Sequence, residues 1–403
     1  MGKESKRPVL GAAWTGCLLI AVSLCIALLV LKDEPFLSWR NQIPNWRGNG
    51  DAGELGEVTG ERDALKDLLR RLVRGEERNQ LQVEGFTCHF DLHTEMCLSA
   101  KPVRISNGGL TVHVRSDGSQ FRRLIRPYAR REDRGAMKLV TQFIATDYNQ
   151  RWIQKYSSIL NRLSDYEAPN LADGSVHCFP GAVVGLTYHG NLALNTSDVP
   201  GGHSMREFRQ FLRESYNLKT KNVHEIGKLR KPVLILISRS NSRKFLNEDA
   251  IMELAQELGF QAVMAGPSTI SNLEQFAKMV GSCSVLIGVH GAGLANEIFL
   301  PDGAVVVQVV LLGLEWASTN YFEIPATAMD LQYLEYKIEP QESSLAEEYG
   351  LDHPVIVDPL SVFAKGYPAV RAVYVDGQNV TINLDRFKGT LVEAKRRVGH
   401  STT

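Results

Sequence analysis

The sequence predicts an α/β protein with a parallel, doubly wound sheet in its C-terminal half, set behind a single N-terminal transmembrane helix. Three observations predict it. Between Lys231 and Val310, short apolar runs alternate with amphipathic helical segments, the order that builds βαβ units. Val9–Leu31 carries no charged residue and is long enough to span a bilayer. The loops after two of the apolar runs concentrate arginine in one case and glycine in the other, at the strand ends where open α/β sheets bind ligands.

The N-terminal span comes first. Lys3, Lys6 and Arg7 precede it, and Lys32, Asp33 and Glu34 follow. Positive charge on the N-terminal flank keeps that end cytoplasmic, so the rest of the chain is expected to be luminal. The rival reading is a cleaved signal peptide. That reading wants a shorter apolar core and a small-residue cleavage site, whereas the flank here is Leu-Lys-Asp-Glu-Pro. Residues 32–60 are rich in Gly, Asn, Pro and charge, the composition of a flexible stem. Leu65, Leu68, Leu69 and Leu72 then share a helical face over Glu61–Arg74, and Gly75 is expected to close that helix. It either packs on the domain or pairs stems.

The chain has 403 residues and no net formal charge. That balance argues against a nucleic-acid partner. Of six cysteines, Cys17 and Cys25 lie in the span. Cys88 and Cys97 are the disulfide candidates for an oxidising compartment. Cys178 and Cys283 sit in apolar runs that suit buried thiols. Asn195-Thr196-Ser197 and Asn379-Val380-Thr381 are glycosylation sequons on the expected luminal side.

In the middle of the chain, Leu110, Val112 and Val114 alternate with polar residues, predicting a half-exposed strand. Val176–Leu186 is another strand candidate. Ser204 and Glu207 form a capping box for a helix to Leu218. Arg122, Arg123, Arg126, Arg130, Arg131, Arg134 and Lys138 form a basic run, either a solvated face or a groove for an anionic ligand. Further on, Val233–Ile237 is an apolar strand. Asn247 is placed to cap a helix ending at Gly259. Gln261–Ala265 is a strand, and Ser271 with Glu274 is a capping box for a helix reaching Gly281. Ser284–Val289 and Val305–Val310 complete the sheet.

Two strand ends carry the chemistry. After Val233–Ile237 comes Ser238-Arg239-Ser240-Asn241-Ser242-Arg243. Arginine presents a planar fork of donors that matches phosphate oxygens. After Ser284–Val289 comes His290-Gly291-Ala292-Gly293-Leu294-Ala295-Asn296. Small residues let a diphosphate approach the backbone, and a following helix N-terminus would attract it. The glycine spacing is not the dinucleotide fingerprint. His290 reads equally as a ligand contact or as a satisfied buried histidine. No Asp-x-Asp pair occurs. A hard cation would want such paired carboxylates, so no metal is expected.

The stretch GVHGAGLANEIFLP (Gly288–Pro301) resembles the signature of glycosyltransferase family 61, in particular its plant members. VHCFPGAVVGL (Val176–Leu186), SMREFRQFLRESYNL (Ser204–Leu218), HPVIVDP (His353–Pro359) and Gln378-Asn379-Val380-Thr381 are similar to the same pattern. The resemblance runs from about Cys88 to Val392. It implies a GT-B-like fold of two Rossmann-like lobes, and an inverting, Golgi-resident enzyme that uses a UDP-sugar without a metal. It also implies transfer of a xylosyl or arabinofuranosyl residue to a xylan-like polysaccharide or other glycan. Its motifs place Arg239, Arg243, His290, Gly291, Ala292, Gly293, Leu294 and Asn296 on the donor side. Glu315 and Trp316 match a Leu-Glu-Trp element that would contact ribose or sugar.

On this reading the chain divides into a cytoplasmic tail (1–8), an anchor (9–31), a luminal stem (32–80), a first, acceptor-side lobe (81–229) and a second, nucleotide-sugar lobe (230–403). Homo- and hetero-oligomers both remain open. One departure stands out. Relatives carry a GGYTGNxFHDFxD-like stretch after the segment matching Lys138–Ala145. Here Ala145 runs directly into Thr146, and on the order of 40–50 residues of a domain-sized lobe are absent by that comparison. No catalytic base is therefore assigned, and the alternative is an impaired or truncated relative that binds a UDP-sugar or glycan within a synthase complex.

Overall fold

The computed structural model describes residues 66–106, 111–114, 150–163, 176–199 and 202–400, apart from positions 68, 92, 93, 180, 187, 189, 198 and 228–230. Val9–Leu31, the stem up to residue 65, the basic run and the Ala145–Thr146 junction lie outside these residues. Among the described residues no helix is long and apolar enough to cross a membrane. The chain forms two compact units.

The first unit takes in the described residues before 190 together with 195–203. Gly75 opens a helix here, contrary to the expectation that it closes one: α1 runs Gly75–Glu84. With φ +55° Gly75 adopts the left-handed conformation open to glycine, which lets the chain leave the preceding turn and re-enter a helix at once. Of the four leucines of the expected helical face, Leu65 and Leu68 lie outside the described residues; Leu69 goes inward, forming a core with Val73, Leu81, Met96 and Leu98, and the partly buried Leu72 packs against it.

Strands β1 (Phe86–Phe90) and β2 (Glu95–Ser99) pair antiparallel and set Cys88 opposite Cys97, which are joined by a disulfide. β3 (Val103–Ser106) pairs with β4 (Thr111–Val114) and with β5 (His177–Phe179), while β6 (Ala182–Leu186) pairs with β2. The single strand expected over Val176–Leu186 is thus two strands in two sheets. Pro180 lies between them and has no N–H for a ladder. Cys178 is exposed and free rather than buried. The described pairings of this unit are all antiparallel, unlike a Rossmann-like lobe.

The second unit, residues 191–194 and 204–403, holds the parallel sheet. Its strands are β7 (Val233–Ile237), β8 (Gln261–Ala265), β9 (Val285–Val289), β10 (Val305–Val310) and β11 (Gln332–Lys337), in the order β11-β10-β9-β7-β8. Continuous Val/Ile/Leu runs form β7, β9 and β10 because helices cover both faces of such a sheet. β9 and β10 are buried along their whole length. No apolar run announces β11, whose Gln-Tyr-Leu-Glu-Tyr-Lys is polar and leaves Glu335 and Lys337 exposed, as an edge position permits.

The unit starts at Ser204, ahead of the boundary at 230 read from the sequence. The reason is helix α2 (Met205–Ser215), whose Ser204–Glu207 capping box is present. Its buried Arg209 donates to the Leu300 carbonyl at 2.7 Å and pairs with Asp302, and Arg213 bonds the carbonyls of Phe299 and Thr220. These arginines fasten α2 to the segment leading into β10. Helix α3 (Glu248–Glu257) follows Asn247, but Asn247 does not cap it. Its amide instead bridges Ile382, accepting from N–H at 3.0 Å and donating to C=O at 2.9 Å. Helix α4 (Leu273–Val280) is capped by Asn272, whose Oδ1 accepts from Gln275 N–H at 3.1 Å. Ser271 ends the preceding short helix, Pro267–Ser271, and is not the cap. The C-terminal helix α5 (Leu384–His400) completes the unit, with Phe387, Leu391 and Ala394 fully buried.

Candidate functional site

The chain leaves β7 to one side for β8, then crosses back to place β9 on the other side of β7. The carboxyl ends of β7 and β9 therefore flank the reversal of strand order, where open α/β sheets leave a crevice for ligand. The arginine loop follows β7 and the His-Gly-Ala-Gly turn follows β9.

The arginine loop is tightly held. Ser238 N–H donates to the Ala265 carbonyl at 2.9 Å, and its hydroxyl donates to Glu248 at 2.9 Å. Nε of Arg239 donates to the Ser242 carbonyl at 2.8 Å and curls the loop. Arg243 has φ +55°, a conformation that costs a side-chain-bearing residue of order 1 kcal/mol. Its surroundings over-determine it. Arg243 N–H donates to the Gln378 carbonyl at 2.7 Å, and Nη1 reaches the His290 carbonyl at 3.0 Å. Gln378, fully buried, also exchanges two bonds of 3.1 Å with the backbone of Leu312. The Gln-Asn-Val-Thr segment thus ties the loop after β7 to the loop after β10.

Gly291 sits against both arginines. A Cβ built there would lie 2.5 Å from Nη1 of Arg239 and 3.2 Å from Nη1 of Arg243. The two guanidinium groups therefore close over a bare backbone. Neither makes a salt bridge among the described residues, and Nε of Arg243 is buried without a hydrogen-bond partner there. Burial lowers the pKa of Arg239. Burial, and secondarily the charge of Arg239, pushes Arg243 down to about 10. Both stay charged at neutral pH. Two partly buried like charges without a counter-ion are costly, and a polyphosphate would relieve that cost through charge-assisted bonds.

His290 is 9% exposed. Burial first, then Arg243 and Arg239, pushes it down to about 3, so it is neutral. Its Nδ1 lies 3.2 Å from the Gln308 amide nitrogen and 3.4 Å from the Ser318 hydroxyl. Phe322 meets its ring edge-on with centroids 5.2 Å apart.

The remaining residues named from the sequence have other positions. The turn does not lead into a regular α-helix: Leu294–Phe299 is a short 3-10 helix. The expected dipole is therefore weak, and attraction for an anion rests on the arginines. Leu294 is fully buried. Asn296 is buried, and its amide donates to the Gly293 carbonyl at 2.8 Å, spending it on the turn. A Cβ on Gly293 would meet Ile237 at 3.0 Å, so this glycine serves packing against β7. Ala292 is half-buried beside Gly291. Glu315 is exposed and accepts from Gly313 N–H at 3.3 Å. Trp316 is 61% exposed, edge-on to Tyr321.

Asn195 is exposed, with Ser197 donating to its Oδ1 at 2.9 Å from the hydroxyl. Asn379 is half-buried, and its Oδ1 accepts from Lys244 N–H at 3.0 Å. Among the described residues no group of three His, Cys, Asp or Glu side chains is placed to hold a metal. The sequence reading missed Gln308, Tyr333 and the two clamping arginines of α2. Gln308 had a signal: it is the one polar residue of Val-Val-Val-Gln-Val-Val.

An arginine pair without a salt bridge among the described residues, closed over a glycine turn at a switch point, is an arrangement that suits the class of phosphorylated ligands. Comparison with known proteins narrows that class. Residues 188–307 match the family model described as Glycosyltransferase 61.

Among its relatives is an alpha-1,3-arabinosyltransferase of Oryza sativa subsp. japonica (XAT3), 38% identical over 63% of this chain and 45% of its own length. A xylan glycosyltransferase of Arabidopsis thaliana (MUCI21) is 34% identical over 62% of this chain and 54% of its own. A beta-1,2-xylosyltransferase of Oryza sativa subsp. japonica (XYXT1) is 34% identical over 63% of this chain and 55% of its own. The match thus spans about half the length of these relatives.

Proposed function

We propose that the chain is an inverting glycosyltransferase that moves a pentose, xylosyl or arabinofuranosyl, from a UDP-sugar to a xylan-like acceptor in the Golgi lumen. In this reaction an acceptor hydroxyl attacks the anomeric carbon and loses its proton. The bond from that carbon to UDP breaks, and the electron pair leaves with the diphosphate. The observation that carries the reading is the pair Arg239 and Arg243, charged, partly buried and without a salt bridge among the described residues, closed over Gly291. The names of the plant relatives support the pentose and the xylan.

In this reading the arginines, rather than a metal, neutralise the leaving diphosphate. Unit 2 is the nucleotide-binding lobe of a GT-B arrangement, Trp316 and Glu315 border the sugar, and Val9–Leu31 anchors a type II membrane protein. The test is calorimetry with UDP on the detergent-solubilised full chain, with and without EDTA. It is paired with transfer from radiolabelled UDP-xylose or UDP-arabinofuranose to xylo-oligosaccharides. Arg239→Ala and Arg243→Ala should each weaken UDP binding by about 1.5–3 kcal/mol. Binding indifferent to both substitutions overturns the assignment. A second reading, a non-catalytic binding subunit, rests on the stretch absent between Ala145 and Thr146; UDP binding without transfer selects it.

A further inference from the structure

We propose that Gln308 is a positioning residue that holds His290 in the tautomer with its proton on Nε2, so that His290 meets a bound diphosphate as a hydrogen-bond donor and not as a base. The tautomer follows from geometry, and the donor role rests on the function proposed above.

Three strands project the chain of contacts to one face of the sheet. Gln308 of β10 is in register with Gly288 of β9, two residues before His290, which follows the strand directly, and Tyr333 of β11 is opposite Val306, two residues before Gln308. Residues two apart on a strand share a face. The Tyr333 hydroxyl donates to Oε1 of Gln308 at 2.7 Å. In that arrangement the amide turns its NH2 toward His290, where Nε2 of Gln308 lies 3.2 Å from Nδ1. An amide nitrogen can only donate, so Nδ1 must accept and cannot carry the proton of a neutral ring.

Gln308 is fully buried and His290 is 9% exposed, so water does not substitute for this bond. The Ser318 hydroxyl, 3.4 Å from the same nitrogen, is a further donor for it. The proton is left to Nε2, which makes no hydrogen bond among the described residues. Arg243 holds the same residue by its carbonyl at 3.0 Å. With two arginines beside it, a second proton on the ring is disfavoured, so the imidazole stays a neutral donor. A single apolar-to-polar exception in a buried strand thus sets the hydrogen-bond sign of a residue in the phosphate site. It also removes His290 from the candidates for general base.

The test is two-bond proton–nitrogen correlation NMR on the full chain in detergent with nitrogen-15 histidine, His290→Gln identifying the His290 signals among ten histidines. The unprotonated ring nitrogen resonates far downfield of the protonated one. The expected result is a protonated Nε2 in the wild type. Gln308→Met removes the donor and should populate the Nδ1-protonated form, with UDP affinity falling roughly three- to tenfold. Tyr333→Phe, which frees the amide to turn over, should produce part of the same spectral change.

A wild-type ring protonated at Nδ1 overturns the proposal, as does a Gln308→Met chain with unaltered tautomer or unaltered UDP affinity. Should Gln308→Met fail to fold, the wild-type spectrum and Tyr333→Phe still decide. Nε2 protonation in a folded chain that binds no UDP leaves the positioning intact and overturns the proposed function instead.

Discussion

A β-carbon at Gly291 would meet the guanidinium of Arg239 at 2.5 Å, and the φ of +151° there disfavours any L side chain. Gly291→Val should therefore displace both arginines and abolish UDP binding in calorimetry, while far-UV dichroism stays that of the wild type. Retained affinity in the folded variant would remove this turn from the nucleotide site. His290 makes a second prediction. Its folded pKa is pushed down to about 3 by burial and the nearby arginines, against about 6.5 in an unfolded chain. Below pH 6.5 the unfolded state gains a proton that the folded state does not, so stability is full above that pH and is lost as pH falls toward 3. Between pH 7 and pH 5 the loss is about 2 kcal/mol. Urea titrations at the two pH values should show that share in the wild type and not in His290→Gln.

Whether an element was legible depended on whether its signal was local. The Ser204–Glu207 box was readable because both partners lie within one turn of α2. Ser204→Ala should cost about 1 kcal/mol by urea titration; no measurable change would mean that this helix end is held by its buried arginines alone. Asn247 carries a good capping residue type at the right place, yet Ile382 takes both ends of its amide. That competitor is far away in sequence, and no pattern near Asn247 reveals it. Val176–Leu186 shows the same effect in strands: its apolar run is real, but the pairing partners, β3 and β2, divide it between two sheets. At the β9 turn, glycines of one motif have separate duties. Gly291 admits arginines and Gly293 admits Ile237, a distinction that only the neighbours make.

On the scale of the molecule, the parallel-sheet unit holds every residue that was named for the donor side. Its strand-end loops are cross-tied by Gln378 without help from unit 1. The stretch that the resemblance leads one to expect between Ala145 and Thr146 would belong to the other part of the chain. Positioning an acceptor hydroxyl and removing its proton are worth orders of magnitude in rate. This chain is accordingly expected to bind UDP but to transfer sugar far more slowly than a version with a relative's segment inserted between Ala145 and Thr146. Radiolabelled transfer to xylo-oligosaccharides by the two chains measures this. Equal rates would show that the base lies among the residues present.

The sequence by itself determined the parallel αβ unit and the two strand ends that carry its chemistry. Both are set by short-range patterns: runs of Val, Ile and Leu buried on two faces, and Arg and Gly at the turns that follow. It carried the resemblance to glycosyltransferase family 61 for the same reason, since Gly288–Pro301 is a contiguous motif. Only the tertiary structure decided which motif residues come together. Leu294 and Asn296 are absorbed by the core and the turn, whereas Arg239, Arg243, His290 and Gly291 converge. It alone places Gln308 beside the His290 ring and Tyr333 behind Gln308, from neighbouring strands 18 and 43 positions further along the chain. Hydrogen-bond sign, burial and the meeting of two arginines depend on distance in space, which strand order sets and local pattern does not contain.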